Sequence, residues 1–248
     1  MAEKAMETVG RPNIAVHRLE WPERAFLSCI SDRAAQTYFS VGNFVRYAPR
    51  ETMIREGAAD RTVHLLISGC VKVISKQGTQ SAGTLLAVRV GGDVVGELAT
   101  IDERRRSAGV EVCSWQPALV CVIDGVDFLR VLDSYPEDHV ALSRVIGSKL
   151  RAATRRRVDI GDCPPVTRMA RMLVELAEDY GQPSHDQRSV MIRIGLTQAE
   201  LGSLIGISKA TAERALRSLR EAGLVGTAHR PLMIYDMAGL RVTAQLDD

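Results

Sequence analysis

The sequence of 248 residues lacks any apolar run long enough to cross a lipid bilayer. Its longest apolar runs, such as residues 62–67 and 118–123, fall far short of the roughly 20 residues that a membrane-spanning helix needs. Residues 1–13 contain acids and no hydrophobic segment, which argues against a secretory signal. We therefore expect a cytoplasmic protein that has no membrane partner.

The sequence also lacks the residue spacings that hold metals or perform catalysis. Its five cysteines are scattered, without a Cys-x-x-Cys pair and without histidines at ligand spacing. In a reducing compartment such cysteines are typically small buried apolar residues, so we expect no metal site. No Ser/His/Asp or Cys/His arrangement and no paired carboxylates can be assigned, which predicts a protein that is not an enzyme.

The composition is that of a globular protein, with 46% hydrophobic and 25% charged residues. The length fits one large domain or two ordinary ones. The net charge is only +2, but residues 142–158 hold six basic residues and no acid. A locally basic region suits nucleic acid, although a solvated helix face has the same composition.

Short β-branched runs punctuated by glycine extend from about residue 44 to residue 123. Residues 62–67 and 70–74 predict two strands around a tight turn at Ser68-Gly69. Further strands are predicted at residues 84–90, 109–113 and 118–123. Several strands at close, regular spacing indicate an antiparallel barrel or roll.

Helices are predicted before and after this region. One or two short helices fall within residues 21–38, another covers residues 126–132, and a longer one follows Pro136. In the longer helix an apolar stripe lies at i, i+4, i+8 and i+11, formed by Leu142, Ile146, Leu150 and Ala153. The stripe predicts a two-fold dimer interface, with packing on its own domain as the alternative. Residues 159–165 end the helix, because the two prolines there cannot continue it.

The C-terminal part of the sequence predicts two further helices joined by a turn. Thr197 and Glu200 have the spacing of a capping box, in which each side chain bonds to the other residue's backbone amide. Gly202 is small where the two helices must approach, and Gly206 supplies the backbone freedom of a sharp turn. Ser208 would cap the second helix.

The second helix, residues 209–221, turns basic side chains outward, where lysine and arginine can donate to guanine edges or phosphates in the major groove. Residues 223–226 and 232–235 predict a small hairpin with His229 and Arg230 at its tip. Together these parts predict a winged helix-turn-helix, with an ordinary amphipathic helical hairpin as the alternative. We assign the DNA contacts to Thr197, Gln198, Ser208, Lys209, Thr211, Arg214 and Arg217.

A second informative stretch is residues 92–108. Gly96 lets the backbone approach a ligand, and a turn of helix after it would point free amides at an anion. Glu97 is an acceptor suited to a sugar hydroxyl, while Arg106 and Ser107 supply a cation and a hydroxyl suited to a phosphate. A solvated basic loop is the alternative.

The order of these parts resembles the cyclic-AMP receptor protein/FNR (CRP/FNR) family of bacterial transcription regulators, from about Trp21 to Tyr235. Gly96-Glu97-Leu98-Ala99 followed by Arg106-Ser107-Ala108 is similar to the family's phosphate-binding cassette. The resemblance implies that Glu97 holds a ribose 2′-hydroxyl and that Arg106 and Ser107 hold a cyclic phosphate. The implied effector-binding residues are Gly96, Glu97, Leu98, Ala99, Arg106, Ser107 and Thr154.

The same resemblance implies that the effector is a cyclic nucleotide, cyclic AMP or cyclic GMP. It implies a homodimer that binds a pseudo-palindromic operator in double-stranded DNA, with RNA polymerase as a further partner. We expect Arg106→Ala to abolish nucleotide binding and to leave the fold intact. A constitutive regulator with a vestigial or differently occupied pocket is the alternative, and a nucleotide-regulated enzyme is a remote one.

The sequence departs from the family pattern at three places. Cyclic-AMP-responsive members present an arginine and a Thr-Ser pair to the purine, where this sequence has Lys149 and then Ala153-Thr154. The family's recognition helix begins Arg-Glu-Thr, but this one begins Lys209-Ala210-Thr211 and lacks the carboxylate that could accept from cytosine. The cysteine cluster of the iron–sulfur members is missing, and His64 and His139 are expected to be structural or solvated.

The predicted fold class is α+β. It combines an N-terminal antiparallel β-roll of the cyclic-nucleotide-binding type, a long dimerisation helix and a C-terminal winged helix-turn-helix. The predicted divisions are a lead-in at residues 1–20, the β-roll at 21–135, the dimerisation helix at 136–160 and the DNA-binding domain at 161–248.

Overall fold

A computed structural model describes residues 7–76, 83–184, 188–192, 194–226 and 232–246. The chain divides into two compact units. The first consists of Met1–Gly83 and Ala87–Lys149, and the second of Thr84–Leu86 and Leu150–Asp248.

The first unit begins with strands and short helices and ends in a long helix. Its strands are β1 (Glu7–Thr8), β2 (Asn43–Tyr47), β3 (Thr52–Ile54), β4 (Val63–Ser68), β5 (Cys70–Ser75), β6 (Thr84–Val90), β7 (Val94–Val95), β8 (Gly109–Val112) and β9 (Ala118–Ile123). The first three residues of β6 are grouped with the second unit. Its helices are α1 (Ile14–Arg18), α2 (Phe26–Cys29), α3 (Asp32–Val41), α4 (Glu97–Ile101), α5 (Gly125–Ser134) and the start of α6 (Pro136–Asp162). The segment predicted as a lead-in contributes β1, which pairs with β2.

These strands form two sheets, a five-stranded one in the order β1-β2-β9-β4-β7 and a four-stranded one in the order β3-β8-β5-β6. The described pairings are antiparallel, as in β2 with β9 and β5 with β8. Apolar side chains of both sheets form one core cluster, which includes Val45, Leu66, Val71, Val112 and Val120. This arrangement confirms the predicted antiparallel β-roll.

The two strands predicted at residues 62–67 and 70–74 are present, with a sharp turn between them, but they do not pair with each other. Strand β4 pairs with β7 and β9, whereas β5 pairs with β8 in the other sheet. Gly69, between them, has φ of +93°, and a Cβ there would lie 2.9 Å from the Ala118 Cα. The tight turn is therefore a corner at which the chain passes from one sheet to the other.

Helices pack on the outer side of the five-stranded sheet around three aromatic rings. The ring centroids of Phe26, Tyr38 and Phe128 lie 5.4–6.3 Å apart, in edge-on and tilted arrangements. Trp21 joins this core and donates through its indole nitrogen to the Ile67 carbonyl at 2.8 Å. The short helices predicted within residues 21–38 are therefore present, as α2 and α3.

The long helix α6 has 27 residues and an apolar stripe that is buried only at its start. Leu142 is 4% exposed, whereas Leu150 is 66% exposed. The helix ends at Asp162, just before Pro164, so the predicted stop at residues 159–165 is confirmed.

The second unit is helical with a small sheet. It contains α7 (Pro165–Tyr180), β10 (Gly181–Pro183), β11 (Val190–Ile192), α8 (Gln198–Leu204), α9 (Lys209–Glu221), β12 (Val225–Gly226), β13 (Leu232–Ile234) and α10 (Met237–Thr243). The sheet order is β10-β11-β13-β12. β12 and β13 pair antiparallel, which confirms the predicted wing strands, while His229 and Arg230 lie outside the described residues. Over the described ranges, no helix combines the length and apolar character needed to cross a membrane.

Candidate effector pocket and DNA-recognition helix

Gly96 occupies a position that only glycine fits. It caps α4 with φ of +86°, and its carbonyl accepts a hydrogen bond from Arg106 Nη1 at 2.8 Å. A Cβ at this position would lie 2.6 Å from the same Arg106 nitrogen and 2.9 Å from the Thr62 carbonyl oxygen. The glycine therefore permits the close approach of backbone and guanidinium on which the cassette depends.

Arg106 is 3% exposed, and its guanidinium is held on several sides. Besides Gly96, Nη2 donates to the Thr62 carbonyl at 2.7 Å and to Thr62 Oγ1 at 3.1 Å. The same nitrogen forms an ion pair with the Asp60 carboxylate. Nε is buried and, within the described structure, has no hydrogen-bond partner. The cation is thus fixed in orientation and retains one unused donor.

Glu97 is also buried, at 4% exposure, and forms an ion pair with Lys149. The Lys149 Nζ lies 2.8 Å from Glu97 Oε1 and donates to the Val94 carbonyl at 2.8 Å as well. The resemblance to the family placed Lys149 where other members contact the purine base. Here its ammonium group instead pairs with Glu97, the residue predicted to bind the ribose hydroxyl.

The other predicted pocket residues differ in exposure. Ala99 is buried in α4, Leu98 is 45% exposed, and Ser107 is exposed directly after Arg106. Thr154 lies exposed on α6 in the second unit. The structure therefore brings Gly96, Glu97 and Arg106 together and leaves the Ser107 hydroxyl open to solvent.

Two groups that the motif did not reveal shape the electrostatics around Arg106. His64 on β4 is 3% exposed, and burial, followed by the charge of Arg106, lowers its pKa to about 4. Burial of Asp60 opposes its ionisation, but the hydrogen bond and the charge of Arg106 lower the pKa of Asp60 overall. His64 is therefore neutral and Asp60 ionised near pH 7.

An open cavity of about 560 Å³ lies along β3, β5 and β8. It borders the cassette, since its lining includes Ile54, which a Cβ at Gly96 would touch, and Gly57, whose amide donates to the Arg106 carbonyl at 2.8 Å. Glu97 and Arg106 do not line it. The remaining lining residues are Thr52, Arg55, Glu56, Ile74, Lys76, Gly109 and Val110.

No cluster of histidine, cysteine or carboxylate side chains that could hold a metal occurs in the part of the chain that the structure describes. Cys70, Cys113 and Cys121 are buried, as predicted. Cys29 is exposed, so the prediction of a buried residue is wrong there. It lies at the end of the four-residue helix α2, and its thiol donates to the Glu23 carbonyl at 3.5 Å. Cys163 is half-buried.

In the second unit, the predicted capping box is confirmed. Thr197 Oγ1 accepts from the Glu200 amide at 3.2 Å, and Glu200 Oε2 accepts from the Thr197 amide at 2.7 Å. Gly206 has φ of +68°, as its predicted turn requires. A Cβ at Gly202 would lie 2.9 Å from the Ile207 carbonyl and 3.1 Å from the Ala212 Cβ, so the predicted close approach of α8 and α9 is present.

Helix α9 has a buried and an exposed face. Ser208 caps it by accepting from the Thr211 amide at 3.2 Å. The buried face consists of Ala212, Ala215, Leu216 and Leu219. Lys209, Arg214 and Arg217 are exposed, and Arg214 donates to Thr211 Oγ1 at 3.1 Å. Gln198, the first residue of α8, is half-buried.

Two protein families match this chain over separate ranges. Residues 44–135 match the cyclic nucleotide-binding domain, and residues 167–243 match the Crp-like helix-turn-helix domain. The first range contains the cassette, and the second contains α8, α9 and the described wing strands.

The chain also matches curated relatives over most of their length. The cAMP-activated global transcriptional regulator CRP of Salmonella typhimurium is 23% identical over 206 residues, which are 83% of this chain and 95% of the relative. The regulator Vfr of Pseudomonas aeruginosa, also described as cAMP-activated, is 24% identical over 194 residues, 77% of this chain and 88% of the relative. A CRP-like cAMP-activated regulator of Mycobacterium tuberculosis is 26% identical over 186 residues, 75% of this chain and 80% of the relative.

Solved structures share the fold. The c-di-GMP responsive global regulator CLP of Xanthomonas campestris has a TM-score of 0.69 at 20% identity, over 83% of this chain and all of that one. FixK2 of Bradyrhizobium japonicum has a TM-score of 0.67 at 17% identity, over 82% of this chain and 97% of that one. The β-roll, the cassette, the winged helix-turn-helix and these matches together place the chain in the CRP/FNR family, as a DNA-binding transcription regulator with a cyclic nucleotide-binding domain.

Proposed function

We propose that the protein is a homodimeric, sequence-specific regulator whose DNA binding is gated by a cyclic nucleotide, cyclic AMP or cyclic GMP. The observation that carries this proposal is the presence of two buried charged side chains next to Gly96: Glu97, which follows it in the sequence, and Arg106, which donates to its carbonyl. Buried charges are costly, so they are more often found where a ligand or a partner uses them.

In this proposal Arg106 and Ser107 bind the cyclic phosphate, and Glu97 accepts from the ribose 2′-hydroxyl. Gly96, Leu98 and Ala99 contribute main-chain groups to the site, and Thr154 contacts the base. A ligand gates DNA binding only if it binds one arrangement of the protein more tightly than the other. Lys149 supports such a coupling, because it joins Glu97 to α6.

The DNA-binding part of the proposal rests on the exposed face of α9. Lys209, Arg214 and Arg217 donate to base edges or phosphates of the major groove. Contacts with the DNA phosphate backbone, which position the two helices, are assigned to Thr197, Gln198, Ser208 and Thr211. Each protomer reads one half of a pseudo-palindrome about one helical turn from the other half. RNA polymerase is the proposed further partner, and the cytoplasm is the proposed location.

The proposal is tested by DNA titration. An operator is first selected from random duplexes with the purified protein, and the labelled operator is then titrated without nucleotide, with cyclic AMP and with cyclic GMP. We expect one of the two nucleotides to raise the affinity for the operator and to leave the affinity for unrelated DNA nearly unchanged. Identical affinity under all three conditions would contradict gating.

A constitutive regulator is the second candidate function, and one observation favours it. Arg106 and Glu97 already have charged partners within the chain, Asp60 and Lys149. Mass spectrometry of small molecules released from the purified protein separates an occupied pocket from a vestigial one.

The relatives described above are transcription regulators, which supports a non-enzymatic function. An assay of cyclic nucleotide hydrolysis tests the remaining enzyme hypothesis.

A further inference from the structure

We propose that Asp60 competes with the effector's phosphate for Arg106, so that ligand binding exchanges one anion for another on the same guanidinium. The proposal rests on the function proposed above and adds a residue that sets the affinity of the pocket. Asp60 lies outside the cassette motif, in the loop that precedes β4.

The loop around Asp60 is attached to Arg106 by its backbone as well as by its charge. The Gly57 amide donates to the Arg106 carbonyl at 2.8 Å, and the Arg106 amide donates to the Ala58 carbonyl at 3.0 Å. These bonds hold the loop beside the arginine whether or not the Asp60 side chain is engaged. The carboxylate can therefore leave the guanidinium without dismantling the loop.

The two partners of this ion pair differ in exposure, so the carboxylate, and not the guanidinium, is the group that can move into solvent. The Arg106 side chain is 2% exposed and the Asp60 side chain is 51% exposed. Since solvent reaches the half-exposed Asp60 side of the pair, an anion in this proposal approaches the guanidinium from that side. The displaced carboxylate would return to water, where its solvation offsets the loss of the pair.

The remaining contacts of Arg106 do not depend on Asp60. The Gly96 and Thr62 carbonyls continue to accept from Nη1 and Nη2 after the carboxylate has moved. Among the described residues, Asp60 is the one charged partner of Arg106, so a buried cation would be left without a counter-ion. A phosphate restores that balance, whereas an uncharged ligand does not.

A parallel arrangement exists at the other end of the cassette. Lys149 pairs with Glu97 at 2.8 Å, as Asp60 pairs with Arg106. Before a ligand binds, the charged groups at both ends of the pocket are thus paired with charged side chains of the protein itself. The affinity for a nucleotide then depends on how much more favourable its contacts with Arg106 and Glu97 are than the internal ion pairs that it replaces. Asp60 forms one of these internal pairs.

The test uses cyclic AMP and cyclic GMP binding to the full chain, measured by calorimetry. Asp60→Asn keeps the shape and a carbonyl that can accept from Thr62, but it removes the competing charge. We expect this variant to bind the effector roughly tenfold more tightly than the wild type. Glu103→Gln is the matched control, since Glu103 is exposed and pairs with Arg61 rather than with Arg106. Equal or weaker binding by Asp60→Asn, or the same gain in Glu103→Gln, would overturn the proposal.

Inorganic phosphate provides a second readout that does not require a nucleotide. We expect phosphate, at constant ionic strength, to raise the melting temperature of Asp60→Asn more than that of the wild type. Asp60→Asn combined with Arg106→Ala should show no such gain. Absence of a phosphate-dependent gain in Asp60→Asn overturns the competition. If phosphate gives the gain and neither nucleotide binds, the competition stands and the proposed cyclic nucleotide effector is wrong.

Discussion

At the scale of single residues, Arg106 is more than a ligand-binding group. The cassette motif predicts a side chain whose loss would spare the fold, but the structure shows a buried guanidinium that satisfies two backbone carbonyls. We therefore expect Arg106→Ala to lose about 1–3 kcal/mol of stability in addition to nucleotide binding, because the buried acceptors lose their donor. Urea unfolding measures this loss.

The neighbouring Arg105 provides the control for that prediction. It is exposed and donates to the Gly57 carbonyl at 3.0 Å, so Arg105→Ala should change stability by less than about 0.5 kcal/mol. Equal unfolding midpoints for Arg105→Ala and Arg106→Ala would show that the buried network of Arg106 is not a source of stability.

His64 gives a prediction for the dependence of stability on pH. Its pKa is lowered to about 4 in the folded protein by burial and by the charge of Arg106, against about 6.5 in the unfolded chain. Between these values the unfolded state binds more protons, so stability falls as the pH falls from about 6.5 to about 4. This single group contributes a slope approaching about 1.4 kcal/mol per pH unit.

Replacing His64 isolates that contribution. His64→Gln cannot take up the proton, so its stability should change less steeply over the same pH range than that of the wild type. Thermal unfolding at a series of pH values measures both slopes. Identical slopes for the two proteins would mean that His64 titrates alike in the folded and unfolded states.

At the scale of elements, the recognition helix α9 carries the prediction for DNA. Arg214 is exposed and donates to Thr211 Oγ1, which orients it near the N-terminal end of the helix. We expect Arg214→Ala to weaken binding to the selected operator by about 1–3 kcal/mol if the arginine contacts a base edge. Fluorescence anisotropy with operator and unrelated duplexes measures the effect. An equal loss on both duplexes would assign Arg214 to a phosphate.

The local signals of the sequence were sufficient for the helices of the second unit. Thr197 and Glu200 form a capping box whose partners lie three residues apart, and Ser208 caps α9 in the same local way. Such contacts follow from the order of neighbouring residues alone. The same holds for Gly206, whose positive φ is a property of one residue.

Contacts between distant segments could not be predicted in this way. The sequence predicts β4, a tight turn and β5 in succession, but it does not show that these strands pair with β9 and β8, which lie far along the chain. Asp60 likewise contacts Arg106 from 46 residues away. No spacing rule connects them, so the motif revealed the arginine and not its counter-ion.

At the scale of the whole molecule, the unburied part of the α6 stripe gives a test of the proposed dimer. Leu150 is 66% exposed, although it continues the stripe that begins at Leu142. If two copies pack along this helix, Leu150→Asp should weaken dimerisation by several kcal/mol, since each dimer loses two buried leucines worth about 1.5–3 kcal/mol each. Analytical ultracentrifugation measures the dissociation constant.

Leu19 serves as the control for the dimer experiment. It is 90% exposed, lies directly after α1 and is not part of the α6 stripe, so Leu19→Asp should leave the dissociation constant unchanged. A wild type that sediments as a monomer, or a Leu150→Asp variant that dimerises normally, would contradict an α6 interface.

The exposed start of α9 has a consequence for the cell in which this regulator works. At position 210 an alanine stands where the family pattern has a glutamate, so the helix offers a methyl group in place of a carboxylate. Such a protein would bind weakly to operators whose recognition requires that carboxylate. We therefore expect it to coexist with other members of its family without crosstalk, each controlling its own set of genes from the same protein architecture.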